Sequence, residues 1–267
     1  MHQNKLSFYK ENFLKKLSKF IKKGDSLYIE TDLSKFINIF KDEIRKKDFV
    51  DFYLNIFKKL IGKNGTIICP SFSYSWGQDK KKKIFDINNT QGKTGVFSEY
   101  LRQQRGSKRT LDPMFSFISI GKKKSYFTKT SNDSFGKNSV FEKMHEKNTK
   151  LVSFGLNKFD PTFVHYVEQF FDQNIKKIKY RKRLKFKGII KIKKKKKTQI
   201  HYSFMRPKNS KRIYSEIKIK KNLMKKKFLK QLIINKGLIQ IVSCKNFFNE
   251  GILGMKKDIN FFNKIYR

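Results

Sequence analysis

Two short apolar runs, SLYIETDL (26–33) and TIICPSFSY (66–74), bracket the segment VDFYLNIFKKLIGKNG (50–65). The first run alternates and is β-branched enough to be a strand. The second is a continuous apolar stretch of the kind buried on both faces of a sheet. Between them, apolar residues recur at helical spacing, and Gly62 or Gly65 closes the helix in the left-handed conformation that glycine tolerates. That order confines the chain to an α/β sheet covered by helices. Pro70 is compatible with a strand end, where it need not donate to the ladder.

Upstream, NKLSFYKENFLKKLSKFIKKG (4–24) has apolar residues at helical spacing and Gly24 as its C-cap. Residues 77–95 read as a long polar loop near the site. GVFSEYLRQQRG (95–106) is a helix, FSFISIG (115–121) a strand, NSVFEKMHEKN (138–148) a helix and KLVSFGL (150–156) a buried strand. Another helix begins after Pro161. Further on, YRKRLKFKGIIKI (180–192) and TQIHYSFMRP (198–207) form a strand pair. A helix over KKNLMKKKFLKQLIINKG (220–237) and the strand LIQIVSC (238–244) follow. With no internal repeat and no long linker, the expectation is one domain over residues 1–267. It divides into an N-terminal helix (1–23), a core (24–170) and a C-terminal extension (171–267).

The 267 residues include 28 Phe, too aromatic for a disordered polycation. The net charge of +43 invites a nucleic-acid reading, yet only nine of the 64 basic residues are Arg, the side chain suited to bidentate phosphate and base contacts. Lys is spread beside Ile, Asn and Phe, as an AT-rich genome produces, and KIKKKKK (191–197) reads as a solvated loop. Nucleic acid is therefore not expected as a partner. Cys69 and Cys244 lack CxxC or Cys/His spacing, which argues against a metal site or a disulfide and suits a reducing compartment. Without a leader or a run of about 18 apolar residues, a cytoplasmic protein with no membrane span is expected.

The stretch FVHYVEQFF (163–171) places His165 and Glu168 on one face of its helix. They are either a structural pair or a base with its orienting carboxylate.

Taken together and in order, several segments resemble the aminoglycoside 3-N-acetyltransferase (antibiotic N-acetyltransferase) family. They are GDSLYIETDLSKF (24–36), GTIICPSFSYSW (65–76), the FD of residues 85–86 and KTGVFSEYLRQQRGSKRTLDPMFSFISIG (93–121). FGKNSVFEKM (135–144), KLVSFGL (150–156) and TFVHYVEQ (162–169) continue the series, and the last third follows loosely. The resemblance implies a three-layer α/β/α sandwich with a mixed central sheet and a C-terminal α+β extension. It also implies acetyl transfer from acetyl-CoA, as co-substrate, to an amine of an amino sugar. Where the family commonly has His-Pro-x-His-Ser, this chain has Asp112, Pro113, Met114, Phe115 and Ser116; Glu30 and Thr31 stand where a His-Ser pair is frequent. The Asp-Pro-x-Phe-Ser variant resembles a subset acting on surface-polysaccharide sugars.

Such chemistry needs a base of near-neutral pKa and donors for the oxyanion. His165 is the expected base, with Glu168 or Glu99 orienting it; Glu99 is otherwise an exposed helix residue pairing with Arg102 or Gln103. Asp112 is expected to contact a sugar hydroxyl or amine, against the alternative of an Asx turn. Trp76 and Tyr74 would stack on a sugar, unless they simply pack. The turn Thr31, Asp32, Leu33, Ser34, Lys35 would cradle the CoA pyrophosphate, with Asp32 or Ser34 also readable as a helix cap. Phe115 and Ser116 would border the pantetheine channel. Expected partners are CoA, an amino-sugar acceptor and a second copy in a homodimer. Because the acids are few and DKKKK (79–83) borders the acceptor side, a nucleotide-linked amino sugar is expected to be preferred over a polycationic aminoglycoside. The competing reading is an inactive relative, or a basic module binding RNA or another polyanion.

Overall fold

The computed structural model describes residues 2–40, 46–77, 81–207 and 210–265. The first part of the chain forms α1 (His2–Leu17), β1 (Ser26–Thr31), a 3-10 turn (Leu33–Ile39), α2 (Lys46–Ile61) and β2 (Thr66–Pro70). Next come β3 (Ile84–Asp86), α3 (Val96–Gln103), β4 (Lys108–Arg109), β5 (Phe117–Gly121), α4 (Lys124–Thr128), α5 (Val140–Glu146), β6 (Lys150–Phe154) and α6 (Val164–Asn174). The remainder comprises β7 (Lys182–Ile192), β8 (Lys195–Met205), β9 (Arg212–Tyr214), α7 (Ile217–Lys225), β10 (Lys230–Ile234), β11 (Gly237–Ser243), α8 (Cys244–Lys257) and β12 (Asn263–Ile265).

A seven-stranded sheet runs in the order β10-β11-β6-β1-β2-β5-β4. β1 lies parallel to both β2 and β6, and the outer strands join antiparallel, so the sheet is mixed as expected. Period-two alternation sorts the side chains to two faces. Leu27 and Ile29 of β1 pack with Ile67 and Cys69 of β2 beneath α1, α2 and α3. Tyr28 and Ile68 point the other way, into the aromatic core under α5, α6 and α8. The result is the three-layer sandwich. The C-terminal extension supplies β10 and β11 to this sheet, while β7 pairs with both β3 and β8 in a second sheet and β9 pairs with β12.

Several local expectations are corrected. α1 ends at Leu17, so Gly24 turns a loop rather than capping the helix. The 77–95 loop contains β3, which pairs with β7; its residues 78–80, including Asp79 and Lys80 of the DKKKK run, lie outside the described residues. KIKKKKK is not a free loop: Ile192 pairs with Lys195 across a two-residue hairpin turn whose Lys193 has φ 54°. Within the 220–237 region only residues 220–225 are helical, as the end of α7, which starts at Ile217, and residues 230–234 form β10. α8 was missed altogether.

β1 sends the chain towards β2, whereas β6 sends it the opposite way towards β11, so the carboxyl ends of β1 and β6 flank a topological switch point. Gly155 makes that end tight. It has φ +84°, and a Cβ there would lie 2.2 Å from the Asp32 carbonyl oxygen. Gly155→Ala is expected to cost at least about 2 kcal/mol, read as a Tm fall of roughly 5 °C or more.

Cys69 and Cys244 are buried free thiols in separate clusters. Among the described residues no helix is long and apolar enough to cross a membrane, and no His/Cys/Asp/Glu group could hold a metal ion.

Candidate active site

α6 starts at the switch point. Val164, Val167 and Phe171 bury its inner face and leave His165 with 21% of its side chain exposed. His165 Nδ1 lies 3.1 Å from Glu168 Oε2, and Glu168 is 1% exposed. Arg181, just before β7, brings its Nε to 2.7 Å from the same oxygen. Its Nη2 is 3.5 Å from His165 Nε2. Because a guanidinium only donates, this network assigns the proton to Nδ1 and leaves Nε2 as an acceptor. Phe135 packs edge-on to the imidazole at 5.4 Å. Burial and the Arg181 charge push His165 below its usual range, so it is neutral. Burial works against the Glu168 charge, but Arg181 and then the His165 hydrogen bond hold this carboxyl ionised.

Glu99 is not brought to His165. It lies on α3, across the sheet, where Oε1 accepts from Gly92 N–H (2.7 Å) and Oε2 from Arg102 Nε–H (2.9 Å). Of the two carboxylates, Glu168 is the one in contact with His165. Asp112 is 6% exposed, and its Oδ1 accepts from the amides of Met114 and Phe115, both at 2.8 Å. His201 Nε2 lies 3.1 Å from that oxygen. Despite burial, His201 and these donors hold Asp112 below the usual carboxylate range. This is the Asx turn, locked by a buried histidine. Trp76 is fully buried against Gly188, with no ring face left to stack on a sugar. Tyr74 is 36% exposed, edge-on to Phe72 and Phe115.

In the 31–35 turn, Asp32 caps the 3-10 segment, its Oδ1 accepting from Ser34 N–H (3.1 Å) and Oγ–H (2.6 Å). Leu33 of this turn is buried and Lys35 exposed. Phe115 lies in an aromatic pile with Phe72 and Phe135, and Ser116 is buried beneath Arg109. The larger opening is on the other side of Thr31. An open cleft of about 870 Å³ there is lined by Lys47, Lys93, Gly95, Val96 and Glu99. A Cβ on Gly95 would lie 3.9 Å from the Thr31 carbonyl oxygen, which ties this cleft to the end of β1. α3 begins here at Gly95 without a side-chain cap, with Glu99 in its first turn.

A family model described as aminoglycoside 3-N-acetyltransferase matches residues 45–255. The chain belongs to this family. It is therefore an acyltransferase of the N-acetylating kind. Among solved structures, "AAC-IIIb binary with CoASH" is 17% identical with a TM-score of 0.74, covering 93% of this chain and 96% of that one. A room-temperature neutron/X-ray structure of sisomicin-bound AAC-VIa is 15% identical with a TM-score of 0.73, covering 93% and 97%. The YokD protein from Bacillus subtilis is 15% identical with a TM-score of 0.70, covering 91% and 97%. At such identities the likeness shows the fold. No curated protein sequence matches the chain.

Sequence reasoning missed two groups at the switch point. Arg181 is held against Glu168 from 13 positions downstream, and no local spacing signals such a pair. Glu30 had a usable signal: alternation along β1 puts it on the face of Tyr28, the face that α6 covers.

Proposed function

We propose that this family member transfers an acetyl group from acetyl-CoA to an amine of an amino sugar, with His165 as the base. The single observation carrying the proposal is the His165–Glu168–Arg181 cluster at the β1/β6 switch point. The neutral imidazole exchanges the long 3.5 Å Arg181 contact at Nε2 for the attacking nitrogen, takes its proton and delivers it to the departing sulfur. Glu168 fixes the tautomer and balances the transient imidazolium, while Arg181 keeps Glu168 ionised.

The fit for CoA rests on the 870 Å³ cleft. The uncapped start of α3, with Lys47 and Lys93 in the same lining and the Glu99 carboxylate already engaged by Gly92 N–H and Arg102, suits a diphosphate better than the 31–35 turn, where Asp32 takes the Ser34 amide. Lys93→Ala is expected to raise the KM for acetyl-CoA about 3- to 10-fold and leave kcat within about two-fold, the loss of one screened point charge. Steady-state kinetics at two salt concentrations checks this.

The acceptor enters as an ammonium. Glu30, Asp160, Glu168 and Glu216 all act electrostatically on Tyr214, so acids gather at this crevice in a chain of net charge +43. Arg181, Arg206 and Lys158 stand among these acids, so the carboxylates offer an ammonium local partners without making the surrounding field negative. Thiol release from acetyl-CoA with a panel of aminoglycosides and nucleotide-linked amino sugars tests the proposal. Turnover of at least one, at a rate that Lys93→Ala lowers at sub-saturating acetyl-CoA, is expected. No turnover of any, with tight salt-sensitive RNA binding, overturns it in favour of a polyanion-binding relative.

A further inference from the structure

We infer that Glu30 is a second catalytic residue at this crevice: its Oε2 receives the acceptor's ammonium and takes the proton that the amine must lose before it attacks. The inference rests on the proposed acetyl transfer. Glu30 stands one residue from the end of β1, opposite Ser153 of β6, at the switch point itself. Its Oε1 accepts from the Tyr28 hydroxyl, from Thr162 N–H at 3.3 Å and from Thr162 Oγ–H at 2.9 Å. With three donors on one oxygen and none among the described residues on the other, Oε2 is the atom this half-buried carboxylate offers to the crevice. Thr162 also joins it to the base, because the Thr162 carbonyl accepts from His165 N–H at 3.1 Å. One helical turn therefore holds both groups.

The titratable groups coupled electrostatically to Glu30 are Tyr28 on its own strand, Cys69 on β2 across the sheet, Tyr74 beyond β2, Asp160 ahead of α6 and Tyr214 on β9, and Thr162 ahead of α6 donates to it. Burial raises its carboxyl to about 7, with Asp160 adding to the rise and the Tyr28 and Thr162 donors opposing it. A carboxylate of that basicity is matched to proton transfer near neutral pH, whereas His165 is pushed down. The two groups then divide the work. The ammonium gives one proton to Glu30 Oε2, and the freed nitrogen attacks the thioester carbonyl carbon. The C–N bond forms and the C–S bond breaks, and the second nitrogen proton passes through His165 Nε2 to the sulfur. Glu30 returns its proton to solvent as the amide leaves, so each turnover releases one proton.

The test is the ratio of kcat/KM between the wild type and Glu30→Gln across pH 5.5 to 9, with one amino-sugar acceptor so that the acceptor's own titration cancels. The ratio is expected to be near one at low pH, where both side chains are neutral, and to climb to about 10²-fold above pH 8 with its midpoint near 7. A ratio that is constant with pH, or one that stays near unity, overturns the inference. Should the variant fail to fold, infrared difference spectra of isotopically glutamate-labelled wild-type enzyme at pH 6.5 decide the matter. Acceptor added without acetyl-CoA is expected to abolish a protonated-carboxyl band; an unchanged band overturns the inference. A wild type that turns over no amino sugar defeats the acetyl-transfer reading instead.

Discussion

His165→Ala is expected to lower kcat/KM for acetyl transfer by about 10³-fold, within the range that a positioned general base contributes. The folded state should survive, because the imidazole is partly exposed and its main packing partner is the edge-on Phe135 ring. Removing it leaves Glu168 still paired with Arg181 at 2.7 Å, so no charge is stranded. Circular dichroism and a Tm within a few degrees of wild type, alongside lost thiol release, is the expected result. Near-normal kcat/KM together with a large fall in Tm would make the pair structural and remove His165 from the mechanism.

Arg181→Met should have the opposite signature, a large loss of stability. It strips the closest cation from a carboxylate that is 1% exposed, and breaking one partner out of a buried ion pair costs about 3–5 kcal/mol. Arg206 still acts on Glu168, which places the expected loss near the low end, about 3 kcal/mol. The pH dependence carries the sign. In the wild type, Glu168 is held below its unfolded pKa, so its contribution is present above that value and lost as pH falls through the folded one. In the variant, burial, the largest influence on Glu168, is no longer offset by Arg181. The folded pKa then rises, and the stability deficit relative to wild type should shrink on acidification from pH 8 to pH 5. Thermal melts of both proteins across that window check it. A deficit below about 1 kcal/mol at pH 8, or one that grows on acidification, counts against the buried ion pair as the anchor of the site.

Much of this architecture was legible because it is local or periodic. Alternation in SLYIET and the continuous run TIICP specify strands whatever they pair with, and the amphipathic 50–61 segment specifies the helix between them. The His165–Glu168 pair follows from i, i+3 spacing alone and is present at 3.1 Å. Other features depend on partners that one-dimensional patterns do not name. Apolar spacing in KKNLMKKKFLKQLIINKG suits a helix, yet residues 230–234 become an edge strand because β11 offers them a ladder, leaving Ile233 65% exposed. Asp112 could have faced a sugar; burial beside His201, 89 positions away, makes it a turn lock instead. Trp76 could have stacked on a ligand until Gly188 closed over it.

The sequence by itself determined the strand–helix–strand core, the side of the sheet each β1 residue faces, and a histidine with its carboxylate on one helical turn. These follow from backbone geometry with periods of 2 and 3.6, which act without knowledge of the rest of the chain. Only the tertiary structure decided which charges meet. It brought Arg181 to Glu168, Thr162 to Glu30 and Gly95 to Thr31, and it left Glu99 across the sheet with Arg102. Electrostatics and desolvation depend on distances through space and on burial, so the ionisation of His165, Glu168 and Glu30 exists as a property only once the strands have been ordered and the helices laid over them.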